Sequence, residues 1–140
     1  VVLMYKRSFI MGLIVYLIML FNLSCSCIYK VEDIYGLWKG NNNNNEIVLK
    51  FMSGGKCSLI ISDIALSTAK SYDGNFEINF SKKPIPISIN NIQQYDSSLY
   101  TILEFIGENE IKIEKFSDRW KLRPVSFNNQ TAITLKRVIL

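Results

Sequence analysis

Apolar and polar residues alternate with a period of two along most of this chain, in short segments separated by Gly, Asn, Asp, Ser and Pro, the pattern of strands and turns. From position 34 onward it predicts eight strands. The first is Ile34 to Lys39, with Ile34, Gly36 and Trp38 on one face. The Asn41–Asn45 run is polar and low in complexity, so it reads as a mobile loop with no apolar anchor. Glu46 to Met52 follows, aligning Ile47, Leu49 and Phe51, and Gly54-Gly55 turns it into Lys56 to Ser62, aligning Cys57, Leu59 and Ile61. Asp63 to Lys70 has the weakest alternation and reads as one helical turn. Ser71 to Phe80 is the fourth strand, carrying Tyr72, Gly74, Phe76 and Ile78 on one side. Ile85, Ile87 and Ile89 mark the fifth, where Pro86, which lacks an N–H, fits only an edge or a bulge. Leu99 to Ile106, Glu110 to Phe116 and Thr131 to Val138 complete the set, with a long connection from Ser117 to Gln130. Short connections favour an antiparallel meander. Eight such strands form a small all-β barrel, which removes exposed edges, or alternatively a two-sheet sandwich.

The first 24 positions follow a different pattern. Lys6 and Arg7 precede an uncharged apolar run, Phe9 to Phe21, and then Asn22-Leu23-Ser24-Cys25-Ser26-Cys27. The run suits the core of a secretory signal and is short for a membrane span of about 20 residues. A small residue directly before a cysteine, behind such a run, resembles a bacterial lipobox. Leu23-Ser24 makes Cys25 the favoured site of lipid attachment and Cys27 the alternative; an uncleaved anchor and plain secretion are the other readings. The expected organisation is a lipoprotein signal peptide over 1–24, a tether over 25–33 and the β domain over 34–140.

Composition sets further limits. The chain has 140 residues, enough for one such domain, and a net charge of +4 with no histidine. Two of those positive charges are in the leader, and the remaining Lys and Arg alternate with Asp and Glu, so no basic stripe suggests nucleic-acid binding. The three cysteines form no Cys-x-x-Cys pair and no histidine can join them, so no metal site or cofactor is expected. Nucleophilic catalysis has no histidine base to draw on. Cys57 reads as buried packing. Glu104, Glu108, Glu110 and Glu114 flank a hairpin and read as solvated charge. No catalytic residue is assigned, and the chain is not expected to be an enzyme.

Several landmarks recur in a fixed order: Gly36-Leu37-Trp38, Lys83-Pro84-Ile85-Pro86-Ile87, Leu99-Tyr100 followed by Gly107-Glu108-Asn109-Glu110, Arg123-Pro124 with Phe127, and Leu135-Lys136-Arg137. This order resembles a bacterial lipocalin-like family of uncharacterised domains across most of positions 35–137. Ser98 or Leu99 stands where the family often has glycine before the tyrosine, and Asn109 replaces the family's aspartate. The resemblance implies a barrel whose Trp38 packs under Arg137 at its closed end, a structural pair.

The remaining chemistry is binding. One reading is a cell-envelope lipoprotein, on the periplasmic side or the outer surface, held to the membrane by its lipid. Its barrel would take a small apolar ligand through Tyr72, Phe76, Tyr100 and Phe105. The alternative is an envelope interaction or inhibitor module whose barrel is filled and whose surface meets another protein. Interior volume separates the two.

Overall fold

The structure, a computed structural model, describes residues 2–21 and 28–139. Cys25 and Cys27 lie outside the described residues. The N-terminal segment forms an α-helix, α1 (Val2–Phe21), with exposed side chains from Val2 to Ile18. No helix among the described residues is long and apolar enough to cross a membrane.

Eight antiparallel strands follow: β1 (Gly36–Asn41), β2 (Asn45–Met52), β3 (Lys56–Asp63), β4 (Thr68–Ile78), β5 (Ile85–Asn90), β6 (Leu99–Gly107), β7 (Glu110–Ile113) and β8 (Ile133–Arg137). Each pairs with the next and β8 pairs with β1, so the sheet closes on itself. That is the barrel expected from the sequence and excludes the sandwich. Alternation decides which side faces in. Ile47, Leu49 and Phe51 of β2 oppose Ile61, Leu59 and Cys57 of β3, and Ile85, Ile87 and Ile89 of β5 oppose Leu103, Thr101 and Leu99 of β6. These rows are buried apart from Ile61, which is partly exposed.

The ladders differ greatly in length. β2 and β3 share eight residue pairs, whereas β1 and β8 share two, Trp38 opposite Arg137 and Lys39 opposite Lys136. Close backbone approach continues past them: a Cβ on Gly40 would lie 2.2 Å from the Thr134 carbonyl oxygen, so only glycine lets β1 meet β8 there. Pro86 also sits as its chemistry requires. Its carbonyl accepts from the Asn79 amide, just beyond the last β4–β5 pair, so its missing N–H falls at a ladder end.

Trp38 is fully buried and its indole Nε1 donates to the Ile34 carbonyl at 2.8 Å. The Arg137 guanidinium lies over the indole, 4.2 Å from the ring centroid. Its Nη1 donates to the Tyr35 carbonyl, and its Nη2 donates to those of Asp33 at 2.7 Å and Glu108 at 3.3 Å. One planar fork thus ties the entry to β1, the β6–β7 turn and the end of β8, while its flat face stacks on the tryptophan.

Three local readings need correction. Asp63 to Lys70 is a hairpin, not a helical turn: Ile64 to Ser67 form the bend and β4 begins at Thr68. Thr68 to Ser71 are exposed, so pairing with β3, without burial, makes them strand and leaves no alternation to read. Ile34 belongs to a short 3-10 turn, Val31–Ile34, ahead of β1. The asparagine run is a hydrogen-bonded turn and not a loose loop. Asn41 and Asn45 are in strands, and the Asn42 Oδ1 accepts from the amides of Asn44 at 3.0 Å and Asn45 at 2.7 Å.

Two substitutions test this account by urea unfolding. Trp38→Ala removes a fully buried indole and the platform under Arg137, and is expected to cost about 3–5 kcal/mol. Asn42→Ala removes the one side-chain oxygen that accepts from two turn amides and is expected to cost about 1 kcal/mol, comparable with losing a helix cap. An unchanged midpoint for Asn42→Ala would mean the turn is set by backbone alone.

Candidate functional site

The four aromatics expected to share a ligand site are distributed over four places. Phe76 is in the interior, edge-on to Phe51 with ring centroids 4.9 Å apart. Phe105 is at the end of β6, where Tyr29 from the segment before β1 stacks on it at 4.0 Å. Tyr72 lies edge-on to Tyr95 of the β5–β6 connection, 5.9 Å away. Tyr100 points outward, edge-on to Trp120 at 5.3 Å. The structure therefore does not bring them together around one cavity.

The interior that would hold an apolar ligand is occupied by side chains. Trp38, Leu49, Phe51, Leu59, Ile89, Ile111 and Leu135 are all fully buried. An eight-stranded barrel is narrow enough for side chains to fill it, and the inward rows here are buried against one another.

An open groove of about 620 Å³ lies on the outer wall. Its floor is the outward row Glu77, Pro86, Ser88, Tyr100 and Ile102. The long β7–β8 connection borders it through Trp120, Arg123, Pro124 and Val125, and Lys82 and Lys83 stand at the other side. Trp120 is 59% exposed, a large apolar area to leave in water. Arg123 covers one face of its indole at 3.8 Å and donates from Nη1 to the Trp120 carbonyl at 2.9 Å, which fixes the ring as a platform. The apolar faces of Pro86, Tyr100 and Ile102, a fixed indole and three cations suit contact with another macromolecule. The ligand set expected from the sequence included Tyr100 but not Trp120; the apolar character of both Tyr100 and Ile102, on the row opposite Leu99 and Leu103, was the signal that this outer wall is covered.

The connection that forms the groove is anchored by Glu114, which is 5% exposed, not solvated as the hairpin position implied. Its Oε1 accepts from the Lys115 amide and its Oε2 from the Asn128 amide, both at 2.8 Å, while its own carbonyl accepts from the Thr101 hydroxyl at 2.6 Å. Burial pushes its carboxyl pKa up, but hydrogen bonds from Thr131, Asn128 and Lys115 and the charge of Lys112 outweigh that and hold it below the usual glutamate value. At the same end, the Tyr95 hydroxyl donates to the Asp118 Oδ2 at 2.7 Å and the Ser97 hydroxyl to the Asp118 carbonyl at 2.9 Å, joining the β5–β6 and β7–β8 connections.

The remaining reactive group is the Cys57 thiol. Burial, then the nearby Asp73 charge, pushes its pKa up to about 12, so it stays protonated and packs as a small apolar group. Among the described residues no three side chains of metal-ligating type gather. No protein-family model, curated protein or solved structure matches the chain.

Glu114→Gln replaces one acceptor by a donor facing a backbone amide and is expected to cost about 1–3 kcal/mol in urea unfolding. The pH dependence has a definite sign. A carboxyl whose folded pKa is depressed adds stability above its unfolded pKa and loses it as pH falls through the folded value. The difference between wild type and Glu114→Gln is therefore expected to be full at neutral pH and to shrink on acidification below the unfolded glutamate pKa of about 4.3. A pH-independent difference would remove the carboxylate charge from the explanation.

Proposed function

We propose that this chain is a lipid-anchored cell-envelope protein of lipocalin-like type that works through its outer surface, as a protein-interaction module. The observation that carries this reading is the filled interior: the positions that would line a ligand chamber are occupied by Trp38, Phe51, Phe76 and the Leu and Ile rows around them. A small apolar ligand would have to displace packed side chains, each buried at a gain of roughly 1.5–3 kcal/mol. The outer wall, by contrast, keeps a fixed, exposed Trp120 beside a groove floored in part by Pro86, Tyr100 and Ile102. Exposed aromatic platforms beside arginine are the residue types that dominate protein interfaces. Anchoring is supported by the sequence: the charged start at Lys6-Arg7, the apolar run to Phe21 and the Ser24-Cys25 junction.

Native mass spectrometry of the protein purified from membranes tests both parts at once. The expected mass is that of a chain beginning at Cys25 and carrying an acyl modification, with no retained small molecule. A lipid on Cys27 instead would move the junction by two residues. A cleaved or full-length chain without lipid would overturn the anchor, and a stoichiometric apolar ligand released on unfolding would overturn the filled-barrel reading.

A further inference from the structure

Loops 53–55, 79–84 and 108–109 all lie at the end of the barrel where β1 begins and β8 finishes. The stretch expected to be a tether is folded onto this end. Tyr29 stacks on Phe105 at an interplanar angle of 16°, beside Lys83 and Pro84. The Lys30 amide donates to the Asp33 Oδ2 at 2.7 Å, and the Asp33 carbonyl is held by Arg137. From Tyr29 onward the chain is thus part of the barrel.

Only Ser26, Cys27 and Ile28 separate Cys25 from Tyr29. Four extended residue steps reach about 14 Å at most, and the headgroup layer on one side of a bilayer is itself roughly 5–7 Å thick. A domain anchored so closely has no free linker. The exposed groups beside the seat suit a lipid surface: Ile28 is 82% exposed and Ile106 53%, and Lys30, Lys82 and Lys83 are exposed next to them. Glu32, Asp33, Glu104 and Glu108 are also exposed at this end, so the attraction is not one of net charge alone. Apolar side chains in the headgroup layer with lysines reaching phosphates is the usual arrangement at such interfaces.

Resting on the lipoprotein reading, we infer that this end of the barrel is a membrane-docking face, with Tyr29 as the residue that locks the domain upright on the bilayer. The β1–β2 and β3–β4 turns then point away from the lipid. The test uses the full acylated chain in vesicles of phosphatidylethanolamine and phosphatidylglycerol that contain nitroxide-headgroup lipid. In a Cys27→Ser background, a fluorophore is placed at Ile106→Cys in one sample and at Ile64→Cys in another, since Cys57 is buried. The expected result is several-fold stronger quenching at position 106 than at 64, with the difference collapsing in Tyr29→Ser while the barrel's unfolding midpoint stays near that of the parent. Equal quenching at both positions in an acylated chain overturns the docked orientation and leaves the lipoprotein reading standing. A docked orientation that survives Tyr29→Ser overturns the role of Tyr29. A native chain whose mass shows no acyl group overturns both readings together.

Discussion

A sheet of eight strands keeps two open edges until its first and last strands meet, and here they meet over two residue pairs. That shortness is the constraint on which the rest of the fold depends. Backbone hydrogen bonding along so short a seam cannot hold against strand edges that pair readily with other chains. The added hold comes from side chains. Arg137 stacks on Trp38 and donates to carbonyls of Asp33, Tyr35 and Glu108, three separate points of the chain. Lysine could carry the charge but not the planar fork. Gly40 completes the seam by omission, leaving room for the Thr134 carbonyl.

The strands were legible wherever alternation coincided with burial. Ile47, Leu49 and Phe51, or Ile85, Ile87 and Ile89, sit in period two because each row fills the interior. The reading failed where backbone geometry and burial part company. Thr68 to Ser71 extend β4 past the enclosed volume, so they pair without hiding anything, and their polarity resembles that of a loop. Tyr29 is held by one aromatic contact from a residue 76 positions away, and no local pattern announces such a partner. Glu114 was misread for a related reason. Carboxylates near a hairpin are usually solvated, and only the path of the long β7–β8 connection brings the Asn128 amide to this one.

The candidate site was less legible than the fold. Aromatic residues at strand ends can be found by inspection, but their grouping depends on parity and on loops. Tyr100 lies between two inward residues, Leu99 and Thr101, and therefore points out toward Trp120, while Phe76 points into the core. What the sequence offered as one constellation is two surface pairs, one core ring and one stacked contact. The outer groove exists because Glu114 and Arg123 shape the connection above it, and both act through backbone groups that composition does not reveal.

The two ends of the barrel differ in what they hold. The Val138 amide donates to the Leu37 carbonyl, so the described chain enters and leaves the barrel at one end, beside the Arg137 fork. The opposite end carries the short bends at Asn42–Asn44 and Ile64–Ser67, neither of which includes a residue that closes the seam. Loop-closure entropy rises slowly with length, and surface connections tolerate insertion when the scaffold beneath is rigid. Variation is thus partitioned by geometry. Bends at the far end can lengthen and diversify, acquiring new recognition without altering the core, while any change around Trp38, Gly40 or Arg137 is felt by all eight strands.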